Sequence, residues 1–223
     1  MPAAALKTQF ESLLGGRLDW QSRPAPECVP SGVPALDAAT GGLPRGCLTE
    51  IFGPASSGRT SLLLSILAQA THREEVCALV DAEDAFDPVS ASAAGVHLDR
   101  ILWVRSDNAE HALKAVDLLI QGGGFGLVVL DLGDTPPAMA RRISLTSWFR
   151  LRRAVENTPT VLISVARQSN AKTCASLQLE CAREHAAWSG ALHSSRLLRA
   201  ISARATSIQR SKTCSPVFTA PAL

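Results

Sequence analysis
At 223 residues and 46% hydrophobic content, the chain is long enough for one large domain with a sizeable core, or one domain with extensions. No run of about 18 apolar residues occurs, which argues against a membrane span, and the opening Met1-Pro2-Ala3-Ala4-Ala5-Leu6-Lys7 does not read as a signal peptide. The net charge of +2 hides an imbalance: residues 1–134 hold 9 Lys and Arg against 17 Asp and Glu, whereas residues 135–223 hold 13 against 3. The basic half is a candidate surface for a polyanion, against the plainer reading of arginines that solvate a face. Cysteines stand at 28, 47, 77, 174, 181 and 214. Cys47 and Cys77 lie in apolar strand-like runs and read as buried free thiols, which favours a reducing, cytoplasmic setting. Cys174, Cys181 and His185 fit no common zinc spacing.

In chain order, residues 4–15 read as a short amphipathic helix with Leu6, Phe10, Leu13 and Leu14 on one side, and the proline-bearing stretch 17–30 reads as a linker. The pattern divides the chain into an N-terminal helix and linker (1–30), a core (31–212) and a tail expected to be disordered (213–223). A short helix after Ser31-Gly32 stops at Gly41-Gly42, and Cys47 to Phe52 forms the first core strand. A helix follows to about Thr71. Val76 to Val80 is the next buried strand and ends in Asp81-Ala82-Glu83-Asp84-Ala85-Phe86-Asp87-Pro88. Four carboxylates at a parallel strand's end are costly unless they face water, a metal or a catalytic task. Glu83 is the candidate general base; Asp84 and Asp87 suit turn and cap, with Pro88 first in a helix.

Ile101 to Val104 is a third strand, and Asn108 caps a helix over about 109–120. Leu127 to Leu130 then delivers Asp131, a carboxylate suited to the water shell of Mg²⁺. Pro136-Pro137 opens a single helix over about 138–155. Its apolar arc holds Ile143, Trp148, Leu151, Ala154 and Val155. The other arc carries Arg141, Arg142, Arg150, Arg152 and Arg153 with Leu145 and Phe149, and suits either a nucleic-acid backbone or an acidic protein surface. Thr160 to Ala166 is another buried strand. Residues 176–182 and 196–210 look strand-like, the second also fitting a helix stripe.

The stretch between the first core strand and its helix is Gly53-Pro54-Ala55-Ser56-Ser57-Gly58-Arg59-Thr60-Ser61. Strand, glycine-rich turn and helix is the setting of a phosphate-binding loop. Its backbone N–H groups and the helix N-terminus suit an anion, and Thr60 sits where a hydroxyl would ligate Mg²⁺. The motif asks for Lys at position 59. Arg59 keeps the charge but is a wider planar fork, so the exchange is not conservative.

These residues resemble the bacterial RecA recombinase family. The match runs through Ser31-Gly32, Leu36-Asp37, Gly41 to Gly46, Glu50 to Pro54, Ser56 to Gly58, Asp81-Ala82-Glu83 and Asp87-Pro88, over about residues 31–170. The resemblance implies an α/β fold, a RecA-like P-loop NTPase core whose mostly parallel central sheet is flanked by helices; the strand-like stretches after it add a β-rich C-terminal segment. It implies ATP and Mg²⁺ as cofactors, Glu83 as the water-activating residue, Asp131 and Thr60 on the metal side, single-stranded DNA as partner, and self-association. Three departures stand out: Arg59, a short segment between Asp131 and the strand at 160–166, and no counterpart of the second DNA-binding loop. The family's γ-phosphate-sensing glutamine falls near Arg167 or Gln168. The shortened pattern is similar to the RecA-like accessory proteins of damage-inducible mutagenesis cassettes (the ImuA/SulA-related group), which implies DNA repair in the SOS response beside an error-prone polymerase. Two readings stay open: a DNA-dependent ATPase weakened by Arg59, and a non-hydrolysing adaptor for such a polymerase.

Overall fold
The computed structural model describes residues 26–189, 197–208, 213–214 and 217–221. A short β1 (Cys28–Val29) leads to α1 (Pro34–Thr40), which ends at Gly41 in the left-handed conformation (φ 82°), and β2 (Leu43–Pro44) pairs back on β1. The core then alternates: β3 (Cys47–Phe52), α2 (Arg59–His72), β4 (Cys77–Asp81), α3 (Pro88–Ala93), β5 (Ile101–Arg105), α4 (Ala109–Gly122) and β6 (Leu127–Leu132). After it come α5 (Pro137–Ala140), α6 (Leu145–Val155), β7 (Val161–Ala166), β8 (Leu177–Ser189), β9 (Leu197–Ile208), β10 (Thr213–Cys214) and β11 (Val217–Pro221).

Six strands run parallel in the order β8-β3-β7-β6-β4-β5, and β9 adds antiparallel to β8. Strands buried on both faces read as near-continuous apolar runs, and β4, β6 and β7 supply them, interrupted by Asp81, Asp131 and Ser164. Alternate residues feed two cores. Leu79, Val129 and Ile163 meet Leu62, Ile66 and Leu67 of α2 on one face. Val80, Leu130 and Leu162 meet Ala112 and Val116 of α4 and Trp148, Leu151 and Val155 of α6 on the other. Parallel order places every core strand's C-terminal end at one edge, where such sheets bind ligands.

The caps follow the sequence. Asp87 accepts from the N–H groups of Val89 and Ser90, with Pro88 first in α3, and Asn108 accepts from the His111 N–H. The helix expected over 138–155 is broken instead. α5 ends at Ala140, and Ser144 caps a fresh start by accepting from the Ser147 N–H, so a serine inside the apolar pattern acts as an N-cap. The ambiguous stretch near 196–210 is strand β9. The segment expected as a disordered tail from 213 carries β10 and β11, both antiparallel to β9. One edge of β9 is paired with β8 and the other takes β10 and β11, a long-range pairing that local composition does not reveal. The expected helix over 4–15 lies outside the described residues. Among the described residues no helix is long and apolar enough to cross a membrane.

Candidate functional site
The apolar run of β3 breaks at Gly53, where the chain must pass close under β8. A Cβ there would stand 2.2 Å from the Cys181 carbonyl oxygen, so only glycine fits. The loop turns through left-handed conformations at Ser56 (φ 58°) and Gly58 (φ 90°) and enters α2 at Arg59. No side chain caps α2, and no acid lies in its first turn. Its first N–H groups therefore point at the loop's mouth without a side-chain acceptor, the condition for holding an anion. Ser57 lies beneath, its buried hydroxyl without a partner among the described residues. A phosphate group fits this cradle.

Beside the loop lies a cavity of about 190 Å³ lined by Arg59, Thr60, Ser61, Ala85, Phe86, Asp87, Ser90, Asp131, Gly133 and Asp134. That is below the roughly 300–1,000 Å³ of ligand pockets, so it encloses only part of a nucleotide. Thr60 is exposed on its wall. Glu83 is exposed and is not among the lining residues; its backbone N–H donates to Asp81 Oδ1.

Asp81 and Asp131 are direct partners across the β4–β6 ladder, two carboxylates abreast at the strand ends. Asp81 is fully buried and accepts from the N–H groups of Glu83 and Phe86 and from Trp103 Nε1 (3.3 Å), so it shapes the loop after β4. Among the described residues Asp131 accepts from the Gly133 N–H alone (2.7 Å). Burial pushes its carboxyl up to about 6, Asp81 adding to the rise and Gly133 and Arg59 opposing it.

Arg59 does not project into solvent. It is 7% exposed, and its Nη1 donates to the Gly133 carbonyl at 3.2 Å. Burial pulls the guanidinium below its ordinary range while Asp131 and Asp134 support its charge. Arg167 reaches the same carbonyl through Nε at 3.2 Å and pairs with Asp134 at 3.4 Å. Of the two ligands expected for Mg²⁺, Asp131 thus stands beside a carbonyl already held by two guanidinium groups, with one of its oxygens engaged by Gly133, and Thr60 lies on the cavity wall. A divalent cation demanding octahedral oxygen ligands does not fit that arrangement.

The arginine face is only partly free. Arg141 donates to Gln168 Oε1 (2.8 Å), Arg150 pairs with Asp117 (3.6 Å), and Arg152 with Glu156 (3.6 Å). Arg142 and Arg153 are exposed and form no ion pair among the described residues. Leu145 and Phe149 are each 48% exposed beside them. Between the start of α6 and the loop after β7 lies an open cleft of about 490 Å³, walled by Arg141, Ser144, Leu145, Asn170 and Lys172.

Sequence reasoning passed over Glu50 as a structural centre. It is fully buried on β3 and accepts from Ser169 Oγ (2.7 Å), the N–H groups of Asn170 (2.6 Å) and Ala171 (2.8 Å), and Gln178 Nε2 (2.8 Å). An acid inside a mostly apolar strand was the available signal. Cys174 and Cys181 are buried, and among the described residues no group of three or more His, Cys, Asp or Glu side chains forms a metal site.

A six-stranded parallel sheet flanked by helices, with a glycine-rich loop feeding α2, defines an α/β protein of the P-loop class. The RecA N-terminal domain model matches residues 12–138. The chain is 38% identical to Protein RecA of Chloroflexus aurantiacus over 160 residues, covering 65% of this chain and 46% of that protein. It is 36% identical to Protein RecA of Deinococcus radiodurans over 165 residues (67% and 46%), and 36% to that of Symbiobacterium thermophilum over 182 (74% and 52%). The chain belongs to the RecA family, and it spans about half the length of the curated relatives it matches.

Proposed function
We propose that this chain is a RecA-like DNA-repair protein that binds ATP at residues 53–61 and single-stranded DNA across the open cleft and the arginine face. The observation that carries it is the uncapped phosphate loop at the same sheet edge as that cleft. Two basic walls, exposed Arg142 and Arg153, and a half-exposed Phe149 suit a phosphate backbone with bases that stack. Glu83 is the group proposed to activate water in ATP hydrolysis. The resemblance pairs ATP with Mg²⁺ and the protein with further copies of itself; a cavity too small for a whole nucleotide supports a second copy covering the rest.

The deciding experiment is oligonucleotide binding as a function of salt. Neutralising about four phosphates gives a log–log slope near −3 on single strands. Replacing Arg142 and Arg153 with Ala together lowers that slope by about 1.4. A flat or absent response removes the DNA reading. Steady-state ATP hydrolysis with and without DNA, with Glu83→Gln as control, then tests turnover. A second reading has its own support: Arg141, Arg150 and Arg152 are engaged within the fold. That favours a non-hydrolysing adaptor for an error-prone polymerase in the SOS response, and absent turnover together with absent DNA binding selects it.

A further inference from the structure
A P-loop protein ordinarily meets its nucleotide with a lysine at the loop and a divalent cation at the end of the neighbouring strand. Here one element stands in both places. Arg59 starts α2, at the loop's exit, yet its side chain runs to the end of β6 and donates to the Gly133 carbonyl at 3.2 Å. The two ends of that residue therefore span the distance between phosphate cradle and carboxylate. Its buried setting holds it there, with Asp131 and Asp134 supplying the negative field.

A second arginine meets the same acceptor. Arg167, at the end of β7, brings its Nε to the same Gly133 oxygen at 3.2 Å and its Nη2 to Asp134 at 3.4 Å. Two guanidinium groups sharing one acceptor repel each other, and they repel a divalent ion placed between them more strongly. Their two charges offset those of Asp131 and Asp134, the carboxylates Mg²⁺ would draw on. Arg59 uses one of its five N–H donors on Gly133. The residue also lines the cavity with Thr60 and Ser61, and a guanidinium is a planar fork suited to phosphate oxygens.

We propose that this chain binds the phosphates of a nucleoside triphosphate without a divalent cation, with Arg59 braced by Arg167 supplying the positive charge that the metal would supply. This rests on the reading of residues 53–61 as a nucleotide site. A lysine at position 59 cannot do the same. Its single ammonium either reaches the phosphates or stays at Gly133, which leaves the strand end free for a cation.

The test is calorimetric titration of ATP, and separately of inorganic tripolyphosphate, into the full chain with excess MgCl₂ and with EDTA. The proposal expects affinities within about threefold of each other in the two buffers. It expects Arg59→Lys to bind about tenfold or more tightly with Mg²⁺ than with EDTA, and Arg167→Ala to weaken binding in EDTA more than in MgCl₂. Binding by the unaltered chain that needs Mg²⁺ by about tenfold or more overturns the proposal while leaving the nucleotide site standing. No binding in either buffer removes the nucleotide site itself. The unaltered chain carries the first comparison, so the test does not depend on any variant folding.

Discussion

Two strand ends at the same edge of the sheet bury a carboxylate, and they do so in opposite ways. Glu50 on β3 gathers four donors from the loop after β7 and from β8. Asp131 on β6 has one, with another carboxylate abreast of it. Burial alone does not mark a functional acid. What separates the two is how completely the charge is satisfied: a carboxylate with every lone pair engaged is a staple, and one left short of donors is poised for something else.

The sharpest way to break the comparison is Glu50→Ala. It orphans two backbone N–H groups and two side-chain donors in a dry setting, and is expected to cost about 4 kcal/mol, read as a lowered urea midpoint at unchanged slope. A loss below about 1 kcal/mol would mean the staple is redundant.

Asp131→Asn is expected to act in the opposite direction. The Asp131 carboxyl stands at about 6 in the folded protein against 3.8 as a free group. Between those values the folded protein keeps a proton that the unfolded chain has released. Stability therefore falls as pH rises across that window and levels off above it. Asparagine still accepts from Gly133 and carries no charge, so it should stabilise the unliganded protein at pH 8 by up to about 3 kcal/mol. The pH profile of the melting temperature should flatten between about 4 and 6. An unchanged or lowered melting temperature at pH 8 would place Asp131 with Glu50 among the satisfied acids.

Smaller changes sharpen the contrast. Ser169→Ala removes one of four donors to Glu50 and should cost about 1 kcal/mol, because Gln178 still serves the same oxygen. Ser144→Ala removes the N-cap of α6 and should cost about 1 kcal/mol, measurable as a melting shift with no effect on nucleotide affinity. An altered affinity would instead couple the arginine face to the phosphate loop.

The layout of the core was legible because its signals are local. The run Cys47 to Phe52 followed by glycines, the four apolar residues before Asp131, and the caps at Asp87 and Asn108 are each carried by neighbours in sequence. The break at Ser144 was hidden because the apolar spacing of Trp148, Leu151 and Val155 continues a helical pattern across it. The side-chain geometry of the site was beyond sequence. Arg59 meets Gly133, and Glu50 meets Ser169 and Gln178, only once distant strands lie side by side. Glu83 was chosen from its position after the strand, yet the neighbouring acid in that stretch, Asp81, is the one folded into the ladder beside Asp131.

The position of β3 also governs how the nascent chain matures on the ribosome. β4 finds β5 and then β6 soon after each emerges, Cys77 aligning with Ile101 and Leu127. β3 is made before any of them, yet its two neighbours are β7 and β8, with Cys47 aligned to Val161 and Thr49 to Leu177. Both hydrogen-bonding edges of β3 therefore wait for partners while most of the protein is translated, the kind of long-range pairing that forms slowly. The phosphate loop, synthesised early, is among the last parts to acquire its working shape.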